Sequence, residues 1–213
     1  MGIILRVDIE KAYGNHTLIR KVLSKVIENY YPTAPIIFGY LDHLKIFLNI
    51  INQSNIKATF FHRLSNLPTP DLVQFYENNG HQLGLHFENS RSIETVKREI
   101  DYFEEKLKFK VKVISKHGSG YYTLGKFHYS PYEPENYKEW ANHLQVDFLC
   151  GNGIASNIQE LYDVNGYFEN IFWLEDDYRN ENFNSIESEK FSRGTVNPIS
   201  FQNFCVLNLG IKH

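Results

Sequence analysis

A chain of 213 residues, 42% hydrophobic and 15% aromatic, is long enough for one domain with a substantial core and is not the composition of a disordered protein. Its 22 basic and 25 acidic residues leave a formal charge of −3, so no broad positive field favours nucleic acid or an anionic membrane as the main partner. Cys150 and Cys205 lie too far apart for a paired-thiol or zinc motif, no leader pattern opens the chain, and no apolar run could cross a bilayer. These features predict a soluble, cytoplasmic protein without a disulfide.

Residues 2–8 form a nearly continuous apolar run of the kind buried on both faces in parallel sheets, with Asp8 at its exit. Residues 17–29 have helical spacing, with Leu18, Val22 and Val26 four apart, and Pro32 and Pro35 close the segment. A second amphipathic stripe runs through Leu41, Leu44, Leu48 and Ile51. Residues 56–61 read as the next strand, with His62 and Arg63 at its end. Thr69 as N-cap and Pro70 in the first helical position predict a helix over 71–78, ended by Gly80.

The strand expected over 81–88 carries His86 and Glu88 on one face, with Leu83 and Leu85 as apolar filling on that same face. Helical spacing of Ile93, Val96, Ile100, Phe103 and Leu107 follows over 92–108, then a strand through Val111, Val113 and Ser115. After a loop rich in Tyr, Gly and Pro come a helix over 135–144 and a strand over 146–149. Residues 154–200 show little periodicity, and 204–209 read as a last strand. This alternation predicts a single α/β domain over residues 1–213 with parallel strands. Polar groups recur just past the strand ends at Asp8, His62, His86, His117, Asn152 and His213. In parallel α/β folds that is the face where active sites gather.

Asp8 with Glu10 has the form of a metal-binding acid beside a general base, although a plain acid pair capping a turn or facing Lys11 fits the same residues. His86 with Glu88 offers imidazole and carboxylate donors of the kind zinc takes. The segment Lys116-His117-Gly118-Ser119-Gly120 is either a flexible turn or a set of backbone N–H groups and a hydroxyl presented to an oxyanion or a sugar. Trp173 beside Glu175-Asp176-Asp177 reads as a saccharide platform or as a buried tryptophan next to a solvated acidic loop. The sequence lacks a phosphate loop, a Gly-x-Gly-x-x-Gly fingerprint and a Gly-x-Ser-x-Gly elbow, which disfavours nucleotide-dependent and serine-hydrolase chemistry.

In order and spacing, Leu5-Arg6-Val7-Asp8-Ile9-Glu10, Ile56-Lys57-Ala58-Thr59-Phe60-Phe61, Gly80-His81-Gln82-Leu83-Gly84-Leu85-His86 and the apolar run before His213 resemble the polysaccharide deacetylase family, the NodB-homology carbohydrate esterases. The resemblance implies a distorted (β/α) barrel with about seven parallel strands. It also implies a metal-dependent hydrolase, commonly a zinc enzyme, that removes an acetyl group from an N- or O-acetylated sugar or a related small amide. Asp8 then resembles the catalytic base, Glu10 and His86 metal ligands, and His213 the acid that protonates the leaving group.

The chain departs from the family pattern where the second metal histidine would stand, at Ser90, with Glu88 as the substitute ligand. Lys116-His117-Gly118-Ser119-Gly120 replaces the family's Arg-x-Pro loop, so His117 either completes the metal shell or serves another purpose. Lys116, Gly118, Ser119 and Trp173 are the candidate substrate contacts. A barrel that has lost catalysis and only binds carbohydrate, and a hydrolase of another non-peptide C–N bond, are the alternatives.

Overall fold

The computed structural model describes residues 4–9, 11–13, 17–30, 34–36, 39–53, 57–117, 133–149, 161–162, 171–172, 191–192 and 195–196. Strands β1 (Ile4–Ile9), β2 (Lys57–His62), β3 (Gln82–Phe87), β4 (Val113–Lys116) and β5 (Asp147–Leu149) form a parallel run in the order β5-β4-β3-β2-β1. The helices α1 (Leu18–Tyr30) and α2 (Asp42–Gln53) connect the first two strands. Single helices α3 (Pro70–Asn78), α4 (Ile93–Leu107) and α5 (Pro134–Leu144) make the remaining crossovers that parallel pairing demands.

Two-residue strands extend the run at its ends, β6 (Leu161–Tyr162) antiparallel to β5 and β7 (Ile171–Phe172) parallel to β1. Another short pair, β8 (Phe191–Ser192) and β9 (Thr195–Val196), is antiparallel and separate. Among the described residues no pairing joins β6 to β7. Of the expected barrel of about seven parallel strands, the described residues show a five-strand parallel sheet with two short additions, one of opposite sense. The strand expected over 204–209 lies outside the described residues.

Alternation sorts each strand between two environments. Ile9, Phe60, Leu83, Leu85, Phe87, Ile114 and Phe148 face the helices and pack with Leu72, Tyr76, Val96, Ile100, Phe103, Tyr137 and Ala141 in one buried cluster. The opposite, inner face carries a small apolar group of Phe61, Val113 and Leu149. Leu83 and Leu85 are thus not filling on the His86 face: a period of two puts odd-numbered residues of β3 on the helix side and His86 on the inner one.

Helix ends follow local chemistry. Ser92 caps α4 by accepting from the Thr95 N–H, while the Thr95 hydroxyl accepts from the Ser92 N–H. Gly80, at φ 68°, supplies the left-handed turn after α3 that a side chain would resist. In α2 the expected stripe is buried, with Leu41, Leu44, Leu48 and Ile51 all below 8% exposure. In α1 the helix forms as expected but turns the other way. Leu18, Val22 and Val26 are 78%, 54% and 44% exposed, and Ile27 with partly buried Leu23 faces the core instead.

Candidate functional site

The site is built on the inner face, at the C-terminal ends of β1, β2, β3 and β4. Along β1, Arg6 and Asp8 alternate onto this face, and the guanidinium grips the carboxylate twice, Nε donating to Oδ1 at 2.8 Å and Nη2 to Oδ2 at 2.7 Å. Between β1 and β3 lies β2, whose Phe61 is in register with Asp8 on one side and Gly84 on the other. A Cβ at Gly84 would fall 2.6 Å from the Phe61 ring and 2.8 Å from the Val113 carbonyl oxygen. The missing side chain therefore leaves room for the ring against β3. Arg6 stacks over this ring at 5.2 Å and His86 sits beside it at 6.5 Å, so Phe61 forms the floor between β1 and β3.

Across that floor His86 Nε2 comes within 3.9 Å of Asp8 Oδ2. Its other nitrogen, Nδ1, is 2.6 Å from the Ser115 hydroxyl, the residue in register with His86 on β4. His117, two residues further along the same face, packs its ring edge-on against His86 with centroids 5.0 Å apart. Asp8, His86 and His117 are therefore the sequence-predicted residues that the fold brings together. The Asp8 side chain is 15% exposed, against 1% for His86.

Glu88 is placed differently. Its carboxylate accepts from Nε of Arg63, the residue that follows β2, with both side chains at or below 4% exposure. The Glu88 and Asn89 N–H groups both donate to the Glu99 carboxylate of α4, at 2.9 and 2.8 Å. Burial pushes Glu99 up to about 7, with Glu88 adding to the rise while these two N–H groups and Lys116 pull against it. Ser90, where the family pattern has a metal histidine, is buried beside the Tyr137 hydroxyl. Lys116 alternates to the helix side of β4, where its ammonium donates to the His117 carbonyl and lies 6.0 Å over the Phe87 ring. It is not with Ser115 and His117. Glu10, Gly118, Ser119, Trp173 and His213 lie outside the described residues.

The two remaining strand histidines are structural. His62 Nδ1 donates to the Asn66 carbonyl at 2.7 Å, so its Nε2 accepts from Tyr76 at 2.9 Å, and burial lowers its pKa to about 4. His81, at the opposite end of β3 from His86, accepts the Ala58 N–H on Nδ1 and is likewise lowered to about 4, chiefly by burial and then by Lys57.

Sequence reading passed over Arg6 and Arg63. The available signal was parity: Arg6 shares the face of Asp8 two residues on, and a cation in an apolar strand is affordable only beside an anion.

The fold and these side chains define an α/β protein whose titratable groups gather at the C-terminal ends of parallel strands. No protein-family profile matches the chain, and no curated protein matches it. Among solved structures it is similar to a CE4 family pseudoenzyme from Bacillus anthracis, at 11% identity and TM-score 0.40, covering 69% of this chain and 42% of that one. A mutant CE4 family pseudoenzyme with restored enzymatic activity aligns at 13% identity and TM-score 0.40, over 70% and 44%. A family 4 acetyl xylan esterase from Clostridium thermocellum, in complex with a cobalt ion, aligns at 14% identity and TM-score 0.32, over 54% and 48%. The chain spans less than half the length of each of these.

Proposed function

We propose that this chain is a hydrolase removing an acetyl group from an N- or O-acetylated sugar, with a divalent ion, zinc by the donor chemistry, as its cofactor. The observation that supports it most is the approach of Asp8 Oδ2 to His86 Nε2 at the exit of the parallel strands. The imidazole is a suitable donor for such an ion, the carboxylate a base beside it, and the engaged Nδ1 of His86 is how metal-ligating histidines are commonly held. Among the described residues no group of three His, Cys, Asp or Glu is arranged to hold a metal. The proposed holders are therefore His86, His117 and Glu10, with Glu88 committed to Arg63.

When bound, the ion supplies Lewis acidity that polarises the acetyl carbonyl and lowers the pKa of water. Asp8, clamped in one orientation by Arg6, is the base that takes the proton from water, and His213 is the acid that returns one to the departing amine or alkoxide. Backbone N–H groups at Gly118 and Ser119 steady the oxyanion, and Trp173 offers a face to the sugar ring. A second reading, a carbohydrate-binding protein without catalysis, draws on one observation: two of the candidate site acids are already neutralised by arginine, Asp8 by Arg6 and Glu88 by Arg63. Metal analysis after dialysis against Zn²⁺ separates the two. The hydrolase retains about one ion per chain and loses it on His86→Ala, by the linkage of ligand set to affinity. A protein that holds no ion yet binds acetylated sugar supports the second reading.

No helix among the described residues is long and apolar enough to cross a membrane.

A further inference from the structure

We infer that Ser115 is the positioning residue of the site: it holds the His86 proton on Nδ1, so that the Nε2 lone pair faces the Asp8 side of the site and is available to a cation. The inference rests on the function proposed above for its meaning, but its geometry stands alone.

A neutral imidazole carries one proton, and its position is decided by which nitrogen has a partner at bonding distance. Nδ1 of His86 is 2.6 Å from Ser115 Oγ, well inside that range. Nε2 is 3.9 Å from Asp8 Oδ2, where no N–H···O bond closes although a carboxylate is the strongest acceptor nearby. Were the proton on Nε2, the attraction of Asp8 would be expected to shorten this distance toward 2.9 Å. The ring has little freedom to respond otherwise. Phe61 lies on one side and the His117 ring meets it edge-on, and neither His86 nor Ser115 is more than 1% exposed.

The pairing is fixed by the sheet itself, because His86 and Ser115 are in register on adjacent parallel strands and both alternate onto the inner face. Ser115 is thus placed as precisely as the backbone ladder. Its hydroxyl accepts the imidazole N–H, and the lone pair that results points to the acid side of the site. The opposite direction, with the hydroxyl donating to Nδ1, would make His86 a base toward a serine and leave an N–H aimed at Asp8.

The test is the ¹⁵N spectrum of His86 in labelled, metal-free protein at a pH above the imidazole range, assigned by comparison with His86→Gln. The expected result is the Nδ1–H tautomer in the wild type and in Ser115→Thr, which keeps the hydroxyl, and a mixture of tautomers in Ser115→Ala. Zn²⁺ affinity is then expected to fall about 10- to 100-fold in Ser115→Ala and to recover in Ser115→Thr. An Nε2–H tautomer in the wild type, or an unchanged tautomer and Zn²⁺ affinity in Ser115→Ala, overturns the assignment. If the wild type binds no Zn²⁺, the proposed function fails while the tautomer is still decided by the spectrum.

Discussion

Among the described residues, Asp8 and Glu88 are two carboxylates near the C-terminal ends of the strands that are each met by an arginine, yet the two pairs are built for different ends. Asp8 and Arg6 sit on one strand two residues apart, and the acid keeps 15% of its side chain open and has an imidazole in front of it. Glu88 and Arg63 come from the ends of β3 and β2, are sealed at 1% and 4%, and are backed by Glu99 through the main chain. A sealed pair ties two loops together, whereas a pair with one open edge holds an acid still while leaving it usable. On the proposed function, the contrast gives Glu88 a part in stability and Asp8 a part in chemistry.

The comparison breaks most visibly at Arg63. Removing it in Arg63→Ala leaves a buried Glu88 without a counter-charge and is expected to cost about 3–5 kcal/mol, read as a lowered denaturation midpoint. Replacing both partners with apolar side chains of similar volume, Arg63→Met with Glu88→Leu, should recover much of that loss. A small effect of Arg63→Ala would mean that the pair is solvated and the contrast with Asp8 is false.

Glu99 sharpens the same point through pH. Its folded pKa, about 7, lies above the ordinary value of 4.5, so its ionisation is disfavoured by folding. The sign follows from linkage: the folded state holds this proton more tightly, so its contribution to stability is complete below about 4.5 and is lost as pH rises towards 7. Unfolding midpoints measured across that interval should decline with pH in the wild type and flatten in Glu99→Gln. The smallest effect belongs to α1. Val22→Ser, on the exposed side of the helix, should stay within about 0.5 kcal/mol, whereas Ile27→Ala, on the buried side, should cost about 2–5 kcal/mol.

These results also mark what the chain disclosed before its fold was known. The α/β alternation was legible because each crossover helix carries its own signal, such as Thr69-Pro70 before α3 or the Val96, Ile100, Phe103 stripe of α4. The face of α1 was not, since Leu18, Val22 and Val26 are as regularly spaced as Leu23 and Ile27, and only packing decides between two apolar arcs. Of the candidate site, Asp8 and His86 could be placed at strand exits by periodicity, but their partners could not. Arg6 becomes meaningful once Asp8 shares its face, Ser115 once β4 is in register with β3, and Arg63 once Glu88 has left the strand. Each of those relations depends on strand pairing, which sequence spacing along one strand does not contain.

Acetate release from an acetylated oligosaccharide, with Zn²⁺ supplied, tests the central claim most directly when wild type and Asp8→Asn are compared. The proposed chemistry requires release that stops on chelation and falls about 10²- to 10⁴-fold in Asp8→Asn, the usual contribution of a general base, with the fold retained. Equal release by both proteins, or sugar binding by the wild type with no acetate formed, would contradict it.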